Sequence, residues 1–110
     1  MEMKELLNFV DRTLSEAGKW TFSRDQDMTK RIFAQTMKLS EEVGELSSEI
    51  LWHTGFVRQE KLARYSPETL KDEFADVLLV TIRLAKLMDI DIESALQQKM
   101  EKIKKRSDVR

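Results

Sequence analysis

The sequence predicts an all-α protein with a four-helix-bundle-like fold. Apolar residues recur at helical spacing in four segments, which is the pattern of amphipathic helices. Only three Gly and one Pro occur in 110 residues, too few for the turns of a many-stranded domain. Hydrophobic residues make up 41% and charged residues 35%, a composition typical of a folded helical domain rather than a disordered chain. We therefore expect a single domain over residues 1–110.

The four helices are expected at about residues 2–17, 27–52, 66–88 and 91–106. Gly18 is the expected stop of the first helix, because glycine readily adopts the left-handed conformation that ends many helices. Short connections between helices favour antiparallel neighbours, and hence a compact bundle.

Helix starts are predicted from capping residues. Asp27 and Asp91 are suitable caps for the second and fourth helices, since a carboxylate accepts hydrogen bonds from the first free backbone N–H groups. Ser66, followed by Pro67 at the first helical position, is a strong start for the third.

The third helix is apolar almost all round. Its expected core face consists of Phe74, Val77, Leu78, Thr81, Ala85 and Met88. Further apolar residues lie outside that face: Leu79, Val80, Ile82 and Leu87. A helix of this kind is usually buried on more than one side. We therefore expect an oligomer, a homodimer or homotetramer, with the third helix near the subunit interface.

The second helix carries two stripes. The expected buried stripe is Leu39, Val43, Leu46 and Ile50. A polar stripe lies roughly 90° around the helix and consists of Lys38, Glu42, Glu45 and Glu49.

Two further acids, Glu73 and Asp76, are neighbours on the third helix. If the two helices pack side by side, four carboxylates face each other at the edge of the core. Such a group repels unless a cation neutralises it. Oxygen ligands without His or Cys suit Mg²⁺ or Mn²⁺. The alternative is that these acids form a solvated helix face.

Several classes of protein are excluded by composition. The chain has no Cys, which excludes disulfides, thiolate metal sites and a cysteine nucleophile. Its one histidine, His53, supports neither a di-iron bundle nor a Ser-His-Asp hydrolase. A net charge of -1 gives no general attraction to nucleic acid. No apolar run approaches the ~20 residues of a membrane span, and the start lacks a signal peptide, so we expect a cytoplasmic protein.

Two acidic motifs follow one another along the chain: "EEVGEL" begins at Glu41, and "DEFADVLLV" begins at Asp72. Together they resemble the Glu-Glu-x-x-Glu and Glu-x-x-Asp motifs of the MazG family of nucleoside triphosphate pyrophosphohydrolases. The later stretch "LAKLMDIDIESALQQKMEKIKKR" is similar to the family's "LA…GID…A…K…R" pattern. The resemblance covers about residues 30–106.

The resemblance implies an all-α enzyme that hydrolyses a nucleoside triphosphate to the monophosphate and pyrophosphate, removing deoxy or non-standard nucleotides from the pool. It implies that four residues bind Mg²⁺, namely Glu42, Glu45, Glu73 and Asp76. Glu41 would be an auxiliary catalytic acid beside Glu42, orienting water or a second metal.

Substrate contacts are expected from basic and aromatic residues. Lys38, which lies on the acidic stripe, is a candidate for binding phosphate. Three basic residues of the fourth helix are further candidates, namely Lys99, Lys102 and Arg106. An alternative for these three is a favourable interaction with the helix dipole. Trp20, Phe22 and Trp52 are candidates for base stacking, with core or interface packing as the alternative for each.

The sequence departs from the family at two places. Ile103 stands where relatives often have Asn, and Val80 where many have Tyr. Both lie at expected nucleotide contacts, so substrate choice stays open. Two alternatives to the enzyme therefore remain: a non-enzymatic helical interaction module, and a family member that binds nucleotide and metal with weak turnover.

Overall fold

The computed structural model describes the backbone of residues 1–20, 28–55 and 66–107, and the side chains within these ranges except at 15–20 and 107. The described residues form α-helices and contain no strand, so the predicted all-α class is confirmed. None of these helices is long and apolar enough to cross a membrane. Their bounds are α1 Met3–Trp20, α2 Met28–His53, α3 Pro67–Leu87 and α4 Ile92–Ser107.

The predicted caps of α3 and α4 are present. The backbone N–H of Thr69 donates to Ser66 Oγ at 3.1 Å, and that of Ser94 donates to Asp91 Oδ1 at 3.0 Å. The predicted cap of α2, Asp27, lies outside the described residues. The predicted end of α1 is wrong, because the helix continues through Gly18 and ends at Trp20. A glycine inside a helix costs only about 1 kcal/mol, which neighbouring helical residues offset.

The end of α3 is closed by a left-handed residue that is not glycine. Asp89 has a φ of 56°. The next residue, Ile90, donates a backbone hydrogen bond back to the last turn of the helix. The N–H of Ile90 donates to the Ala85 carbonyl at 2.9 Å, and the N–H of Asp89 donates to the Lys86 carbonyl at 3.1 Å. These two bonds form a Schellman motif, which satisfies carbonyls at the end of the helix.

The chain divides into two compact units. The first consists of Met1–Gln26 with Ile82–Arg110, and the second of Asp27–Thr81. Whether residues 1–110 behave as one domain stays a prediction.

In the first unit, α1 packs against the later part of α3. Val10 is fully buried. Arg83 Nε donates to Thr13 Oγ1 at 3.1 Å, and Lys86 Nζ lies 2.9 Å from Asp11 Oδ1. Apolar burial and these two polar contacts therefore hold α1 on α3.

In the second unit, two acids of the polar stripe of α2 are buried, and two residues of its apolar stripe are exposed. Glu42 and Glu49 are each only 5% exposed, whereas Val43 and Ile50 are 44% and 41% exposed. The prediction that Val43 and Ile50 belong to the buried stripe is wrong. The physical reason is that α2 meets the polar face of α3, where Thr69 bonds to Glu49.

The exposed and buried faces of α3 also differ from expectation. Three residues of its expected core face are exposed: Phe74 by 49%, Leu78 by 63% and Met88 by 50%. Three residues expected to need a partner chain are buried within this chain, namely Val80, Ile82 and Leu87. These three side chains therefore need no partner chain to cover them. The oligomer, and a subunit interface near α3, stay predictions.

Candidate metal centre

Two helices of the second unit bring acidic and hydroxyl side chains together in successive pairs. On α2, Glu49, Glu45 and Glu42 follow one another at four and three residues toward the helix start. On α3, Thr69, Glu73 and Asp76 follow at the same spacing toward the helix end. Residues at this spacing share one helix face. Three side-chain pairs result, Glu49–Thr69, Glu45–Glu73 and Glu42–Asp76.

Three carboxylates converge at one end of this series. One oxygen from each of Glu42, Glu73 and Asp76 lies within 4.8 Å of the other two. They come from two helices, so helix packing rather than one local motif creates the group. This spacing is small enough for a single cation to contact all three.

Two oxygens of the group are suited to binding a cation. Glu42 Oε2 and Glu73 Oε2 are buried and accept no hydrogen bond from the described residues. A buried charged acceptor without a partner is destabilising by one to several kcal/mol. A divalent cation between them removes that cost. Since the donors are all oxygens, the chemistry fits Mg²⁺ or Mn²⁺.

The group also retains a proton. Burial raises the pKa of Glu73 from 4.5 to about 7, and the negative charges of Glu45 and Glu42 act in the same direction. Asp76 adds a smaller effect of the same sign. Without a cation, therefore, the Glu73 carboxyl is partly protonated at neutral pH.

Lys38 partly neutralises the group from one turn away on α2. Its Nζ lies 3.0 Å from Glu42 Oε1 and 3.5 Å from Glu41 Oε1. The hydrogen bond to Glu42 raises the pKa of Lys38, so the ammonium form is reinforced. Glu42 thus has one oxygen held by Lys38 and one oxygen without a partner among the described residues.

Two predicted acids are not among the three that converge. Glu45 is exposed, but it faces Glu73, and both its charge and a side-chain hydrogen bond between the two raise the pKa of Glu73. Glu41 has a side chain 57% exposed and contacts Lys38. The ligand and catalytic roles of all five acids stay predictions.

Apart from Lys38 and Trp52, which belong to the second unit, the predicted substrate contacts belong to the first unit or lie outside the described residues. Lys99, Lys102 and Arg106 are exposed on α4 and share one face. Trp20 is the last residue of α1, and its side chain lies outside the described residues, as does Phe22 entirely. Trp52 is half-buried and stacks edge-on against His53, with ring centroids 4.3 Å apart.

The sequence interpretation did not assign a role to Glu49 or Thr69. Glu49 is 5% exposed, and the Thr69 hydroxyl donates to its Oε2 at 3.0 Å. A signal was present in the sequence, since Glu49 continues the acidic stripe and Thr69 lies four residues before Glu73.

Comparison with known proteins identifies the family. The family model of the MazG nucleotide pyrophosphohydrolase domain matches residues 33–110, which include all the converging carboxylates. No curated protein and no solved structure matches the chain. The matched segment is well over half of the sequence, and the resemblance of the two acidic motifs is confirmed. The chain therefore belongs to the MazG nucleotide pyrophosphohydrolase domain family.

Proposed function

We propose that this protein is a Mg²⁺-dependent pyrophosphohydrolase that converts nucleoside triphosphates, of deoxy or non-standard type, to monophosphates and pyrophosphate. The observation that carries the proposal is the convergence of Glu42, Glu73 and Asp76, in which Glu42 and Glu73 each have a buried oxygen without a hydrogen-bond partner among the described residues. Family membership supports the reaction class. The cellular role that follows is removal of unwanted nucleotides, in the cytoplasm.

In this proposal Glu42, Glu73 and Asp76 would hold the cation, and Glu45, which faces Glu73, would be the fourth ligand. Mn²⁺ is a possible substitute for Mg²⁺. When bound, the cation neutralises triphosphate charge and acidifies a water molecule.

The other residues position the substrate and accept a proton. A water oxygen attacks the α-phosphorus, the bond to the α–β bridging oxygen breaks, and pyrophosphate leaves. Glu41, which is exposed beside Lys38, accepts the proton from that water. Lys38 would contact phosphate oxygens beside the carboxylates. By the family resemblance, Lys99, Lys102 and Arg106 are candidates for phosphate contacts, and Trp20 is a candidate for base stacking. Positioning and charge neutralisation are the main requirements of such transfers.

We also propose that the enzyme is a homodimer or homotetramer. Phe33 is 65% exposed, Met37 69% and Leu78 63%. Apolar exposure on this scale is costly in a monomer, and a second copy of the chain would cover it.

The first experiment measures pyrophosphate release from a panel of standard and modified nucleoside triphosphates, in Mg²⁺ and then in EDTA. We expect Mg²⁺-dependent release with monophosphate as co-product. Glu45→Gln and Asp76→Asn should abolish turnover, a loss of at least about a hundredfold, while leaving the fold intact because each removes a repelling charge.

A matched control is Glu68→Gln. Glu68 lies on the same helix as Asp76, but its side chain is 81% exposed and contacts only a surface lysine at 3.8 Å among the described residues. This variant should keep full activity. Wild-type turnover in Asp76→Asn would show that the site assignment is wrong.

Two other results would favour the alternatives. No release from any triphosphate, together with a melting temperature unchanged by Mg²⁺, favours the non-enzymatic interaction module. Metal binding with little turnover favours a weakly active family member, in which Val80, buried at 3% exposure, replaces a nucleotide-contacting tyrosine.

A further inference from the structure

Glu49 is a buried carboxylate with no role in the reaction described above. It is 5% exposed, as buried as Glu42, and it lies one helical turn beyond Glu45. Burying a carboxylate is costly unless it is hydrogen-bonded. The Thr69 hydroxyl supplies a bond at 3.0 Å, across from α2 to α3.

The same hydroxyl completes the cap of α3. The Ser66 N–H donates to Thr69 Oγ1 at 2.8 Å, while the Thr69 N–H donates to Ser66 Oγ at 3.1 Å. A threonine hydroxyl has one proton, and its possible acceptors are Glu49 Oε2 and the Ser66 carbonyl at 2.9 Å. The bond to the charged acceptor is the stronger one. Glu49 is thus attached to the first turn of the helix that carries Glu73 and Asp76.

The side chains of Glu49 and Thr69 attract each other, unlike those of the neighbouring pairs. The next two pairs along the helices, Glu45–Glu73 and Glu42–Asp76, are carboxylates facing carboxylates, which repel each other when both members are ionised and no cation is present. The Glu49–Thr69 bond is attractive and lies one turn away. A shift of one residue along a helix moves a side chain by about 1.5 Å, and Mg²⁺ requires near-ideal octahedral geometry.

We propose that Glu49 is a positioning residue, whose hydrogen bond to Thr69 fixes the register of α2 against α3 and so holds the carboxylates at the spacing that binds the cation. This inference rests on the proposed metal site and adds a residue that does not touch the metal. The hydrogen bond, rather than the charge of Glu49, is the essential feature.

The test measures metal affinity directly, by titrating Mn²⁺ into the purified protein and following the free ion by electron paramagnetic resonance. Glu49→Ala should weaken Mn²⁺ affinity about tenfold, the lower end of the range for residues behind metal ligands. Glu49→Gln should bind more tightly than Glu49→Ala, because its amide oxygen can still accept from Thr69, although the bond to a neutral acceptor is weaker. Circular dichroism establishes that each variant is folded.

A second pair of variants tests the other end of the bond. Thr69→Val keeps the side-chain shape but removes the hydroxyl, and should weaken Mn²⁺ affinity as Glu49→Ala does. Thr69→Ser keeps the hydroxyl and should bind Mn²⁺ about as tightly as the unchanged protein. The matched control is Ser66→Ala, which removes the cap bond at 3.1 Å but leaves the bond between Thr69 and Glu49.

The possible results separate this inference from the proposed function. Unchanged affinity in Glu49→Ala overturns the positioning role while leaving the metal site in place. Equal losses in Glu49→Gln and Glu49→Ala would show that its charge acts on the ion directly. An equal loss in Ser66→Ala would show that fraying of α3 is the cause. Absence of Mn²⁺ binding in the unchanged protein overturns both proposals.

Discussion

At the scale of single residues, Glu73 links the candidate site to stability. Its pKa in the folded chain is about 7, above the ordinary value of 4.5, chiefly because it is buried and also because it faces Glu45 and Glu42. Between these two values the folded state retains a proton that the unfolded state releases. Binding this proton therefore adds to the free energy of unfolding. The whole contribution is present at low pH, and it is lost as the pH rises through about 7.

We therefore expect the metal-free protein to become less stable between pH 4.5 and about 7. Glu73→Gln should flatten this part of the profile and be more stable by about 1 kcal/mol at high pH, allowing for partial exposure of the group. Urea unfolding in EDTA over a series of pH values measures both effects.

The control for this prediction is Glu68→Gln, which removes an exposed acid from the same helix. It should leave the pH profile unchanged. If Glu73→Gln had the same slope as the unchanged protein, another group would be responsible for the proton uptake.

At the scale of helices, the sequence predicted where helices begin better than it predicted which helix faces are buried. Ser66 and Asp91 cap helices that begin at the following residue, because capping depends on a few adjacent backbone groups. The buried face of α2 was not predicted, since hydrophobic periodicity assumes that apolar residues are the ones covered. Burial of Glu42 and Glu49 depends on a polar face of α3, which the periodicity of α2 alone does not reveal.

Asp89 provides a test at the end of α3. It adopts a φ of 56°, in the left-handed region that favours glycine. A side chain in this region is strained, although Asp tolerates it better than most residues. Asp89→Gly should therefore raise the unfolding free energy by about 0.5–1 kcal/mol.

Thermal unfolding followed by circular dichroism measures this change. Asp89→Val is the opposing variant and should be less stable than the unchanged protein, because a β-branched residue is a poor fit to positive φ. A lower melting temperature for Asp89→Gly would show that the Asp side chain contributes more than its backbone strain costs.

At the scale of the whole molecule, the sequence predicted the carboxylates but not their full arrangement. The two motifs identified Glu42, Glu73 and Asp76, which meet within 4.8 Å, because a motif fixes which residues share a helix face. Glu45 lies outside this group although it shares a helix face with Glu42, because spacing along one helix does not fix the distance to an acid of another helix. Periodicity likewise does not say which distant side chain meets a given face, and the partnership of Glu49 with Thr69 is of that kind.

The exposed apolar residues of α2 carry the last prediction. Phe33, Met37 and Leu51 share one helix face and are 65%, 69% and 46% exposed. Burying one such side chain in an interface is worth about 1.5–3 kcal/mol, so covering this face with a second copy favours association. Met37→Glu places a charge in that interface and should reduce the sedimentation mass from an oligomer toward a monomer. Asn8→Glu, at an exposed polar position of α1, should leave the mass unchanged. A monomeric unchanged protein at micromolar concentration would contradict the predicted assembly and leave this face for a different partner.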